Sequence, residues 1–118
     1  MATTSFPRYV HDMVLKHKWL TEASLEFERT LDYVRREFGI RTVKKVYSEV
    51  SDNIKVLKTF PNAGLHYKDL FYKGKEVRIL HMKKSSIIYC YDETTLFILV
   101  FWNNRSDDAV IADILSAR

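Results

Sequence analysis

The chain has a single cysteine, Cys90, among 118 residues. No internal disulfide can form, and a reducing, cytoplasmic setting fits. Its three glycines, Gly39, Gly64 and Gly74, are scattered, which excludes a glycine-rich loop that cradles phosphate. The four histidines, His11, His17, His66 and His81, have no partners at metal-ligand spacing, so neither a metal nor a cofactor is expected. No apolar run approaches the ~20 residues of a membrane span. The opening "MATTSFPRYVHDMVLKH" lacks the apolar stretch of a signal peptide. Residues 1–12 read as a flexible leader, Met13 is an alternative start, and 13–118 read as one domain. No internal repeat or low-complexity tract is visible.

What is present suits a packed core. Hydrophobic residues make up 47% of the chain, ample for one domain of this length. Lys and Arg outnumber Asp and Glu by 19 to 15, an excess that permits an anionic partner without requiring one. Residues 13–19, "MVLKHKW", alternate with period two and predict a strand. Thr21 is placed to cap a helix with Glu22 in its first turn. Phe27, Leu31, Val34 and Phe38 then form a helical stripe, with Gly39 at its end. Val43, Val46, Tyr47, Val50, Ile54 and Leu57 form a second stripe, which Pro61 terminates near Thr59 or Phe60. Two amphipathic helices so closely joined predict an antiparallel hairpin.

Beyond "PNAG" the period becomes two. "LFYKGKEVRIL" predicts a short strand, a turn at Lys73-Gly74 and a longer strand to about Met82. "KKSS", "SIIYCY", "DETT" and "LFILVFW" follow as turn, strand, turn and strand. The last is apolar on both faces and so predicts a central, doubly covered strand. Ser106 is placed to cap a short terminal helix with the stripe Val110, Ile111, Ile114 and Leu115. The expected class is α+β: an N-terminal strand and helical hairpin packed on an antiparallel sheet of about four strands, with a short C-terminal helix near the other face.

The basic residues carry the functional signal. Between His66 and Lys84 stand Lys68, Lys73, Lys75, Arg78, Lys83 and Lys84 against Asp69 and Glu76, interleaved with Tyr67, Phe71 and Tyr72. Such a mixture can hold a nucleic-acid backbone and stack bases; edge-strand lysines that block unwanted pairing look the same. Arg78, inside apolar "VRIL", and Arg105, just past the apolar strand, stand apart from the turn lysines. A side chain at the exit of a buried strand is held on a rigid element, as a group that meets a partner must be. Arg105 could equally pair with Asp107 or Asp108. Cys90 between Tyr89 and Tyr91 reads as a small core residue rather than a nucleophile.

The stretches "WLTEASLEFERTLDYV", "NIKVLKTFPNAG", "KEVRIL" and "SIIYCYDETTLFILVFWNNR", taken in order with the terminal helix, resemble the RelE/ParE superfamily of bacterial toxins, also known as plasmid-stabilisation proteins. The resemblance runs from Met13 to Leu115 and implies a growth-inhibiting toxin neutralised by a cognate antitoxin in a hetero-oligomer. It implies two targets: messenger RNA on the ribosome for RelE-like members, DNA gyrase for ParE-like ones. The RelE-like site uses basic residues on the sheet, an arginine after the last strand and a tyrosine in the C-terminal helix. Arg105 matches that arginine, and Arg78 falls near a basic strand position. Ser86 stands where an arginine beginning the tyrosine-rich strand would be, with Lys84 close by, and Ile111 stands where the helix tyrosine would be. Arg78, Lys84 and Arg105 are thus the candidates for stabilising phosphate charge, with Lys73, Lys75 and Lys83 as target or nucleic-acid contacts. Without an evident base, RNA cleavage lacks its usual proton acceptor; Tyr89 and Tyr91 are the substitutes the sequence offers, although their strand positions fit core and sheet residues better. The missing residues and the long hairpin place ParE-like gyrase inhibition ahead of RelE-like cleavage. A non-toxic basic protein-binding module is the third reading.

Overall fold

The computed structural model describes residues 14–103 and 108–118. The expected leader and the residues Arg105, Ser106 and Asp107 lie outside them. Strand β1 (Lys16–Trp19) leads into helix α1 (Thr21–Phe38) and helix α2 (Ile40–Thr59). A 3₁₀ turn, Pro61–Ala63, follows. Strands β2 (Leu65–Tyr72), β3 (Lys75–His81), β4 (Ser85–Tyr91) and β5 (Thr95–Asn103) then precede helix α3 (Asp108–Ser116).

The predicted stripes build the hairpin, with two departures. Phe27 and Val34 of α1 and Val50, Ile54 and Leu57 of α2 are buried. Phe38 and Tyr47, expected on the same stripes, are more than half exposed. Phe38 lies at the tip, next to Gly39, and Tyr47 lies beside Phe27 at the open side of the hairpin. Thr21 does not cap α1: Leu20 holds the cap position with extended geometry and no side-chain bond, while its carbonyl accepts from the Ser24 N–H at 3.0 Å. Gly39 ends α1 as expected and also opens α2. Its φ of +91° with ψ of 172° is a region essentially confined to glycine, so a single residue reverses the chain. Its N–H bonds Arg35 O and its carbonyl accepts from Val43 N–H. Pro61 stops α2 at Thr59.

The sheet has five strands in the order β1-β5-β4-β3-β2 and is mixed, because β1 runs parallel to β5. Strands β2–β5 are the expected antiparallel sheet of about four strands, and the N-terminal strand joins it as a fifth, parallel member, a pairing that was not expected. The chain returns alongside its start only after the meander is complete, a pairing that local alternation cannot reveal. Strand β5 is central, as its apolar run implied, between β1 and β4. Strand β2 begins at Leu65, five residues earlier than expected. Its alternation is broken by a register shift between His66 and Phe71, where Asp69 sits at φ +63°. At the β2–β3 turn, Lys73 (φ +49°) and Gly74 (φ +81°) take the two left-handed positions of a tight hairpin turn. Between β4 and β5, the Asp92 carboxylate accepts the N–H groups of Thr94 and Thr95, each at 2.9 Å. These bonds hold its pKa below the ordinary carboxylate value.

Strand β5 reconciles its two covers through a bulge. Ile88 pairs with Val100 but Tyr89 with Ile98, leaving Leu99 as the extra residue. Ile98 and Phe101 therefore face the hairpin, while the consecutive Leu99 and Val100 both face α3. Beyond the end of β1, the β5 backbone would be left unpaired. There Glu26 of α1 accepts the Phe101 N–H at 3.1 Å, and Arg118 donates to the Leu99 carbonyl at 2.8 Å. The two side chains also pair with each other at 2.5 Å. One ion pair thus satisfies the strand edge and ties the chain after α3 to α1.

Candidate functional site

The basic residues singled out from the sequence do not form one cluster. Lys73 and Lys75 lie at the β2–β3 turn. Their ammonium groups sit over the rings of Tyr72 and Phe97, 5.5 and 5.7 Å from the centroids. Lys83 and Lys84 lie in the turn after β3. The seven residues of β3, at about 3.3 Å each, set the two pairs roughly 20 Å apart. Asn103, which pairs with Ser85 at the end near Lys83 and Lys84, is the last described residue before Arg105.

Arg78 is held away from both pairs. Along β3, Val77 and Ile79 face α3, so Arg78 points to the opposite face beside its cross-strand partner Tyr89. Its guanidinium donates to Gly64 O at 2.9 Å and Asn62 O at 3.3 Å. Tyr89 donates to Pro61 O at 2.6 Å and accepts from Gly64 N–H at 2.9 Å. Tyr91 bonds the Asn62 side chain. These three side chains fasten the 3₁₀ turn over the part of the sheet that the hairpin does not reach. Gly64 is required there by proximity: a Cβ would come within 2.6 Å of the Tyr89 hydroxyl and 2.9 Å of Ile79 O. Burial raises the Tyr89 pKa, and the Gly64 bond and Arg78 offset this only in part. A buried phenol held so is poorly suited to act as a base near neutral pH.

The face beneath α3 is apolar. Val77, Ile79, Ile88, Cys90, Leu99 and Val100 are closed over by Ile111 and Leu115. Ile111, at the place of the helix tyrosine, is fully buried. Burial pushes the Cys90 thiol up to about 11, which keeps it protonated and unreactive. Toward one end of this face, His81 Nδ1 and Ser86 Oγ are 2.8 Å apart. Ser86, at the place of an expected arginine, is itself buried. The pattern of apolar positions contained this closed face, but only the bulge at Leu99 determines which side each β5 residue takes.

A shallow groove of about 350 Å³ runs between α1, α2 and β1. Trp19, Phe27 and Tyr47 form its aromatic floor, with Phe27 stacked 5.2 Å from Trp19 and 6.0 Å from Tyr47. His17, Lys55 and Lys58 line its basic end, and Glu28 also borders it. Sequence reading missed this site, although the exposed Tyr47 and the lysines at 55 and 58 were its signal. Among the described residues, no group of three or more His, Cys, Asp or Glu could hold a metal ion, and no helix is long and apolar enough to cross a membrane.

No family model matches the chain, and no curated protein matches it. Among solved structures it is similar to a chain of the "Chromosomal ParDE TA system from P. aeruginosa". The two share 18% identity over 77% of this chain and 97% of that one, with a TM-score of 0.62. The likeness establishes a shared α+β fold, in line with the fold that the resemblance implied.

Proposed function

We propose that the chain is the toxin of a bacterial type II toxin–antitoxin pair, that it arrests growth when free, and that its target is DNA gyrase rather than messenger RNA. The closed sheet face carries this reading. A ribonuclease of the RelE kind needs basic side chains and a proton acceptor exposed together on the sheet. Here that face is filled by Val77, Ile79, Ile88, Leu99 and Val100 under Ile111. Arg78 is turned away and bonded to loop carbonyls, and the lysine pairs stand a strand length apart. Arg105 and Lys84 remain candidates for contact with the target. The neighbouring structure is named as a ParDE system, which supports an antitoxin partner for this chain too. The aromatic-floored groove along the hairpin suits an amphipathic antitoxin segment with an acidic residue toward Lys55 and Lys58. A bacterial cytoplasmic location and a part in plasmid maintenance follow from the same reading.

Purified chain should inhibit supercoiling by gyrase and leave ribosome-bound messages intact, and the neighbouring gene product should reverse the inhibition. Induction without that partner should give gyrase-dependent DNA breaks and filamentation. Cleavage of ribosome-bound messages within minutes, with supercoiling unaffected, would establish the RelE-like alternative. Growth unaffected by the free chain would leave the non-toxic binding module.

A further inference from the structure

The end of the helical hairpin carries one of two strongly basic segments of this chain. From Arg29 to Lys45 there are six basic residues, at positions 29, 35, 36, 41, 44 and 45, and two acidic ones, Asp32 and Glu37. The strand segment from His66 to Lys84 has the same excess of four, but its Lys73, Lys75, Lys83 and Lys84 are divided between the turns at the two ends of β3. Among the described residues, Asp32 pairs with Arg35 and Arg36, at 2.9 and 3.5 Å. No ion pair is found there for Arg29, Arg41, Lys44 or Lys45.

The tip also stands clear of the body. Val34 is the last buried residue of α1, and every residue from Arg35 to Arg41 is exposed. At 1.5 Å per helical residue, Arg35–Phe38 carries α1 about 6 Å past Val34. Phe38 and Ile40, on either side of Gly39, are 60% and 59% exposed. Tyr33 packs edge-on against Phe38, centroids 6.4 Å apart. A basic projection with an apolar end is suited to lie on a duplex, with the apolar residues of its tip at a groove and its basic flanks on the phosphate backbones.

We propose that the hairpin tip binds double-stranded DNA, largely without regard to sequence, with Arg41, Lys44 and Lys45 on the phosphates and Phe38 and Ile40 at the groove. Two other anionic surfaces fit less well. Single strands are held in grooves whose aromatic faces lie open for stacking, whereas the Tyr33 and Phe38 rings are turned edge to face on a convex tip. A membrane interface would have to take in Glu37, adjacent to Phe38, for the burial of only a few apolar side chains. The proposal does not depend on the gyrase reading.

Fluorescence anisotropy with a labelled 20-base-pair duplex, in the absence of gyrase, tests it. Binding should weaken with salt at a logarithmic slope of about −3, as expected for the three phosphates that Arg41, Lys44 and Lys45 neutralise. The triple variant Arg41→Ala/Lys44→Ala/Lys45→Ala should keep its melting temperature, bring the slope close to zero and weaken binding at least about tenfold at low salt. A charge loss elsewhere, the double variant Lys16→Ala/Lys18→Ala on β1, should change little. The proposal is overturned if the triple variant binds the duplex as the parent does. It is also overturned if the parent shows no salt-dependent binding, prefers a single-stranded 20-mer, or prefers vesicles of phosphatidylcholine and phosphatidylglycerol. Duplex binding without inhibition of supercoiling removes the gyrase reading alone, and inhibition that survives loss of duplex binding removes this proposal alone.

Discussion

The two faces of the sheet are closed by different kinds of contact. Under α3 the closure is apolar and non-directional, from Val77 and Ile88 through to Ile111 and Leu115. On the hairpin face, the margin over β3 is closed by directional bonds from Arg78, Tyr89 and Tyr91 to the short turn at residues 61–64. A helix carries a repeating stripe and can be held by burial alone. A three-residue 3₁₀ turn has no stripe, and its backbone carbonyls need partners. Burial fixes how deep α3 lies but specifies its position along the groove less sharply. The Arg118–Glu26 pair supplies the directional anchor that the apolar contacts lack.

The sharpest break of this comparison is Leu99→Ala. Leu99 is fully buried under α3 as the extra residue of the β5 bulge. Its truncation removes apolar contacts and leaves a cavity, a loss of about 2–5 kcal/mol. Urea unfolding should show a lowered midpoint. Ile98→Ala, buried on the hairpin face, should fall in the same range. A much smaller effect at Leu99 would mean that α3 collapses into the space and that the apolar face is loosely held.

Tyr89→Phe is the polar counterpart, with a smaller expected effect. It keeps the ring but removes the hydroxyl that donates to Pro61 O and accepts from Gly64 N–H. Leaving buried partners unsatisfied costs about 1–3 kcal/mol. Tyr91→Phe, whose bond to Asn62 is exposed, should cost no more than about 0.5 kcal/mol. Amide hydrogen exchange at Gly64 should accelerate in the first variant and remain nearly unchanged in the second. Equal effects would show that the hydroxyls do not hold the turn.

The contrast between the faces also explains what sequence alone could reveal. Repeating patterns were legible: both helical stripes, the two-residue turn at Lys73-Gly74, and the apolar run of β5 each signal one element. Non-repeating contacts were not. The pairing of β1 with β5 joins residues far apart in sequence, and the bulge at Leu99 leaves no mark in a run that is apolar throughout. Arg78 illustrates the limit at the candidate site. Its place inside "VRIL" marked it as unusual, but only the strand pairing shows that it faces the turn at 61–64. Its partners there are carbonyl groups, which every residue has and which no residue type announces. The aromatic floor of the groove was hidden for a related reason, since Trp19, Phe27 and Tyr47 belong to three elements.

The smallest effect concerns pH and the basic end of that groove. Partial burial, and secondarily the charge of Lys58, lower the His17 pKa below 6.5. The folded state therefore disfavours the protonated imidazole relative to the unfolded chain. Above pH 6.5 both states hold it neutral, and its contribution to stability is fully present. As pH falls below 6.5, the unfolded chain takes up the proton first, so stability declines until the folded His17 also titrates. Proton NMR of the imidazole should place its midpoint below the model-peptide value, and Lys58→Met should move it part of the way back. His17→Gln should flatten the stability profile between pH 7 and 5 relative to the parent. Because His17 is exposed, solvent screening keeps this effect smaller than those of Leu99 and Tyr89. A midpoint at or above the ordinary value would mean that a carboxylate, such as Glu28 at the border of the groove, outweighs Lys58. The groove would then greet an incoming acidic segment with less positive charge than its lysines suggest.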